Sequence, residues 1–388
     1  MTAPPSGADP LPGAPGADRY ARQTAADRPG VAQPVPLRPV PQQPWGRIIL
    51  GVVALTALLV SGWEGYWRSY GVTPGITNSN GLWAIQRRRI DNGEGAATVV
   101  VSDSRLFFDL QLPVWEKLDG KRPIQLGMEG TSALIFLEDL AADPKFTGRL
   151  LVGVSPQIFF GGFGFRADAL KFYRKESPSQ RIGQWLSMHL IEPYLAFDDP
   201  DFALGTVLAR QPWPPRPGSR WPMAVRKLAV TEADRNTHVW SKVENDPDYR
   251  ALMRKVWLHD LALPGPPPPK QREIAAQLIE RAVKAVHTLQ ARGVKVLFVR
   301  PSSTGPYLEY DNRNFPRKTT WDVLLARSGA PGIHFEDYPQ LQGLDQPEWS
   351  HLSHAAAERF TAALYGIITR DFWKPAAAAA PAAANTSR

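Results

Sequence analysis

From Ala97 onward the chain alternates between short β-rich runs and segments of helical period, and this rhythm constrains the fold more than any other feature. ATVVV is followed by RLFFDLQLPVWEKL, RPIQLGMEG by TSALIFLEDLAAD, and GRLLVGVSP closes a third unit. Later, QREIAAQLIERAVKAVHTLQARG places Ile274, Leu278, Ile279, Ala282, Val283, Val286 and Leu289 on one face before running into VKVLFVRP. GIHFEDY supplies a fifth strand and HAAAERFTAALYGIITRDF a final helix. Such alternation predicts a parallel sheet with helices on both faces, a three-layer α/β domain over 97–373. Between Gln157 and Pro269 the rhythm breaks into Trp-Pro loops and helical pieces, which predicts a large, mainly helical insertion after the third strand.

The ends differ in kind. Residues 1–44 hold 11 of the 38 prolines and few aromatics, too little apolar surface to offset chain entropy, so a disordered tail is expected there. Residues 374–388 form a low-complexity Ala/Pro tail. Between tail and domain lies PWGRIILGVVALTALLVSGWEGYW, whose uncharged run Ile48–Trp63 makes about 24 Å of helix. Trp45, Trp63, Tyr66 and Trp67 suit the two water interfaces, and Arg47 and Arg68 can extend toward head groups. A transmembrane helix is therefore expected over 45–67, with 68–96 as a linker; a buried core helix and a cleaved signal peptide are the alternatives. Arg28, Arg38 and Arg47 on the amino side keep the N-terminus cytoplasmic under the positive-inside rule and export the main domain. The absence of cysteine fits an exported domain without disulfides, and fits the cytoplasm equally. A net charge of +8 is dispersed among acidic residues, which favours an anionic surface or glycan over nucleic acid.

In an open parallel sheet ligands bind outside the carboxyl ends of the strands. Ser104 follows the first strand at that edge, GMEG (127–130) follows the second, Ser155 follows the third, and PEWSHLSH brings His351 to the same rim. A serine hydroxyl becomes a nucleophile when a base accepts its proton and a carboxylate orients that base. Ser104, His351 and Glu348 supply these types, with Asp345 as a rival acid. The amides of Ser104 and Gly130 are candidate oxyanion donors, with the Ser155 hydroxyl a third. Plain alternatives stand beside each: Ser104 as a helix cap, His351 as a loop histidine, Ser155-Pro156 as turn chemistry. Arg105 is read as a receiver of an anionic substrate group or as a solvated first-turn arginine. His351 and His354 form H-x-x-H, but no third ligand is evident and no metal is expected; Ser353 is a cap candidate. Trp213 and Trp221 are candidates for stacking on sugar rings, or for packing loops.

These residues resemble the SGNH, or GDSL, hydrolases. Ser102-Asp103-Ser104 matches the first-block Gly-Asp-Ser, Glu348-Trp349-Ser350-His351 the last-block Asp-x-x-His, Gly130 the second-block glycine, and Gly153-Val154-Ser155-Pro156 loosely the third block. Serine stands for the first-block glycine, glutamate for the acid, and serine for the oxyanion asparagine. The resemblance spans 97–372 without the insertion and implies a flavodoxin-like sheet. A single amino-terminal span before such a domain resembles the accessory proteins of bacterial exopolysaccharide O-acetylation and cell-wall D-alanylation. That likeness implies a single-pass protein of the bacterial inner membrane with its main domain in the periplasm, needing no cofactor. Its partners would be an acylated envelope polymer or glycan and a membrane acyl-donor protein. The function implied is a serine acyl esterase or O-acyltransferase; a degenerate relative that binds a glycan or envelope partner is the alternative.

Overall fold

A computed structural model describes residues 43–210, 227–262 and 268–373. Trp213 and Trp221 and most of both tails lie outside the described residues. The chain divides into two compact units, Met1–Leu59 and Val60–Arg388. The first holds the start of one helix, Trp45–Ser69, which is long and apolar enough to cross a membrane.

The second unit is built on a five-stranded parallel sheet. Its strands are β1 (Thr98–Val101), β2 (Ile124–Gln125), β3 (Arg149–Gly153), β6 (Lys295–Arg300) and β7 (Gly332–His334), in the order β2-β1-β3-β6-β7. The five are the runs that the sequence marks. Because side chains alternate across a strand, the β-branched runs feed two separate cores. Val99, Val101, Leu150, Val152, Val296 and Phe298 join one cluster, together with the helices Ala133–Ala142 and Pro268–Ala291. Val100, Leu151, Leu297, Val299 and Ile333 join another, under the helix His354–Asp371. Burial on both faces explains why these strands read as continuous apolar runs.

Two regions differ from the sequence-based expectation. Residues 68–96, read as a linker, contain the helix Asn80–Arg89, whose Leu82, Trp83 and Ala84 are fully buried. The Trp83 indole donates to the Leu126 carbonyl at 3.0 Å and its ring meets Phe136 at 5.3 Å. Arg87 is buried as well, paired with Asp139 and Asp143. The charged run RRRIDNGE masks this helix in the sequence, because its partners are remote.

The insertion is not purely helical. Beside the helices Asp168–Lys175, Pro178–Leu186 and Pro247–Ala262 it carries an antiparallel hairpin of β4 (Ala229–Thr231) and β5 (Thr237–Val239). The turn between them anchors it: Arg235, fully buried at φ +67°, donates to the carbonyls of Gln125 (2.9 Å) and Gly127 (2.6 Å) at the carboxyl end of β2. Asn236 reaches the other side, its side-chain oxygen accepting from the Leu112 amide at 2.9 Å.

Candidate active site

β1 ends in Ser102-Asp103, and the helix Ser104–Asp109 starts there with Asp103 as its cap, the carboxylate accepting from the Arg105 amide at 3.2 Å. A serine at position 102 is accommodated by its neighbours. A Cβ on Gly127 would fall 2.5 Å from the Ser102 Oγ, and one on Gly153 would fall 2.6 Å from the Ser102 Cβ. The two adjoining strands thus leave out side chains where Ser102 puts one in, and the turn is not narrowed.

Ser104 begins the helix half-buried, and its Oγ lies 2.8 Å from Nε2 of His351, across 247 positions of sequence. The other ring nitrogen, Nδ1, lies 2.7 Å from Oε1 of Glu348. The same oxygen accepts the His351 backbone amide at 2.7 Å. With a carboxylate on Nδ1, that nitrogen carries the proton and Nε2 is left to accept from the serine hydroxyl. Asp345 is exposed and contributes only a carbonyl, which accepts from the Ser353 amide at 2.9 Å.

Phe108 packs against the imidazole at 4.6 Å between ring centres. Trp257, from the insertion helix Pro247–Ala262, donates its indole N–H to Oε2 of Glu348. Nothing in the sequence marks Trp257 for this place. Trp349, between the acid and the histidine, stands at φ +74°, and its carbonyl accepts from the Thr304 amide at 2.9 Å beyond β6. A backbone held in that left-handed region by a bulky residue is strained, and such strain concentrates at functional sites.

The helix that carries Ser104 is tied to the histidine loop twice more. Arg105 donates from Nε to Ser350 Oγ at 3.1 Å and from Nη1 to Asp311 at 2.8 Å, with its guanidinium over the Tyr307 ring. At 3% exposure it is neither a solvated surface arginine nor a receiver for an external anion; its charge is taken by Asp311. At the far end of the helix, Asp109 accepts the Leu352 amide at 3.0 Å. Burial pushes the Asp109 carboxyl well above the usual range, opposed by that amide and by Arg105. Burial also raises Asp103, while Arg105 and the adjacent Ser155 hydroxyl hold it partly down.

The other candidates sit around the same rim. Gly130 follows β2 at φ +59°, a region that favours glycine. A Cβ there would also meet Phe165 at 3.2 Å. Ser155 is buried at the end of β3, beside Asp103, and its hydroxyl makes no hydrogen bond of normal geometry. His354 does not share a metal site with His351. Its ring stacks on His238 at 4.0 Å, and among the described residues no group of three potential ligands is present. Ser353 precedes the last helix without a capping side-chain bond.

No family model matches the sequence, and no curated protein matches it. The crystal structure of TesA is a distant structural neighbour, at 13% identity and a TM-score of 0.31, with 70% of this chain and 98% of that chain covered.

Proposed function

We propose that this protein is a membrane-anchored, periplasm-facing serine acyl esterase or O-acyltransferase of SGNH type, acting on an envelope or exopolysaccharide glycan. The observation that carries the reading is the unbroken line Ser104 Oγ, His351 Nε2, His351 Nδ1, Glu348 Oε1, with both links at 2.7–2.8 Å. A plain helix-capping serine has no need of an imidazole with an oriented tautomer. The strand order, reversing between β1 and β3 where Ser104 and Ser155 stand, supports the flavodoxin-like form of the fold and the rim as its ligand edge.

In this mechanism His351 Nε2 takes the proton from Ser104 Oγ as the oxygen attacks the acyl carbonyl carbon. The carbonyl π pair moves onto oxygen, giving a tetrahedral intermediate whose charge meets the amides of Ser104 and Gly130 and the Ser155 hydroxyl. The C–O bond to the leaving alcohol then breaks and the imidazolium returns the proton to that alcohol. Water or a sugar hydroxyl, deprotonated in turn by His351, attacks the acyl-enzyme and frees Ser104. Glu348, bonded to Nδ1, fixes the tautomer and stabilises the imidazolium. For transfer rather than hydrolysis, the acyl group would come from a membrane acyl-donor protein. The helix Trp45–Ser69 is the anchor, with the arginines on its amino side keeping the N-terminus in the cytoplasm.

A fluorophosphonate probe tests this directly. Covalent labelling of the full chain that vanishes in Ser104→Ala and falls steeply in His351→Ala is the expected result. Folded protein that takes up no probe would overturn the esterase reading and leave a glycan-binding body.

A further inference from the structure

Within residues 178–208 several large apolar side chains face outward while two polar ones turn inward. The helix Pro178–Leu186 has no buried residue. Its Ile182, Trp185 and Leu186 lie at helical spacing and face outward, while the polar Gln184 turns inward to accept a hydrogen bond from Ser79 Oγ at 2.7 Å. Just beyond, Glu192 is buried at 3% exposure, accepting from Ser187 Oγ at 2.6 Å and the Thr77 amide at 2.7 Å. The large apolar neighbours on each side are the exposed ones: Ile182, Trp185, Leu190, Tyr194, Leu204 and Leu208 range from 49 to 63%. In water, helices bury their apolar stripe and expose glutamine and glutamate. The reverse order at these positions leaves an apolar surface that water alone disfavours.

A second, independent observation names the medium. Between the two apolar stretches the chain is fastened to the carboxyl end of the helix Trp45–Ser69. Glu64 accepts the amides of Ala196 (2.9 Å) and Phe197 (3.1 Å), Arg68 donates to the Tyr194 carbonyl at 2.9 Å, and Trp67 packs on Phe202 at 4.7 Å. The apolar run of that helix ends at Trp63, so Arg68 stands about 8 Å farther along the axis. The headgroup layer is about 5–8 Å deep on each side of the hydrocarbon core. Tyr194, bonded to Arg68, is therefore held at headgroup level.

We propose that residues 178–208 lie in the headgroup layer of the membrane that Trp45–Ser69 crosses, with phospholipid covering their exposed apolar side chains, Ile182, Trp185, Leu190, Tyr194, Leu204 and Leu208. Trp185, Tyr194 and His189, the last stacked on Trp185 at 4.6 Å, are the amphipathic rings that such a layer accepts. The domain is then attached to the membrane at two places, by a span and by a monotopic segment. This rests on the membrane-span part of the proposed function and not on the serine chemistry.

Because the chain contains no cysteine, single substitutions give unique labels. Leu190→Cys, Leu58→Cys within the span, and the exposed Leu118→Cys on the helix Leu112–Asp119 are each made in the full chain. Each carries an environment-sensitive fluorophore and is reconstituted into phosphatidylcholine–phosphatidylglycerol vesicles with or without nitroxide lipid. The expected result is that nitroxide lipid removes about half or more of the emission at positions 190 and 58 and leaves 118 unchanged. Quenching at 58 with none at 190 overturns the proposal while sparing the span. In that event, protection of position 190 from aqueous iodide would assign the face to a second copy or to residues 211–226. No quenching at 58 removes the span itself, and the proposal with it.

Discussion

The indole of Trp257 donates to Oε2 of Glu348, the oxygen that His351 does not use. The acid of the site is thus held on both oxygens, once by the loop it belongs to and once by the insertion.

Removing that indole donor tests the tie. Trp257→Phe keeps an aromatic ring but frees Oε2, leaving the carboxylate less well aimed. A charge-assisted hydrogen bond of about 1.5 kcal/mol corresponds to about tenfold in rate. Fluorophosphonate labelling is expected to slow by that factor. A variant labelled at an unchanged rate would show the contact to be incidental.

Arg105 and Asp311 form a buried ion pair, and Asp311 is shared with Arg300. Arg105→Met leaves a buried carboxylate with one cation fewer and Ser350 without its donor, so a loss of about 3 kcal/mol or more is expected. Arg105→Lys keeps the charge but lacks the fork that reaches Ser350 and Asp311 together. Both variants should melt earlier by calorimetry. Normal melting with a raised KM for anionic esters would restore a substrate-binding role.

Asp109 gives a pH dependence whose sign follows from burial. Its folded-state pKa lies well above the ordinary aspartate value. The stability contributed by its protonated form is therefore complete below about pH 4 and is lost as pH rises toward the folded pKa. Asp109→Asn retains an oxygen for the Leu352 amide and does not titrate. Its melting temperature should gain on that of the wild type as pH rises above about 4, with the two closest in acid. Parallel melting curves across that range would contradict this.

Trp83 measures whether residues 68–96 belong to the folded body. Trp83→Ala removes a fully buried ring and orphans the Leu126 carbonyl, at a cost of about 3–5 kcal/mol. Thermal unfolding of the variant should show it; a true linker would tolerate the change.

What the sequence makes legible is what has local periodicity or a strand-end position. The five parallel strands are readable because each is a β-branched run followed by a turn, and Ser104, Glu348 and His351 are readable because strand ends converge on one rim. Arg105 is misread because its partner, Asp311, lies 206 residues away and leaves no spacing behind. Trp257 is silent for the same reason, being one tryptophan in a helix whose pattern gives no period pointing at the site. The helix Asn80–Arg89 is hidden by its own arginines, which pair with Asp139, Asp143 and Glu176 only after folding.

The distance between Ser104 and His351 along the chain has a consequence for how the protein is made. The serine is translated early, while its imidazole is delivered by a loop that precedes the last helix. That helix, which closes one face of the sheet through Phe360 and Leu364, is translated later still. Hydroxyl and base can meet only once the chain has been translated past His351, so an emerging or prematurely stopped polypeptide carries a serine without its base.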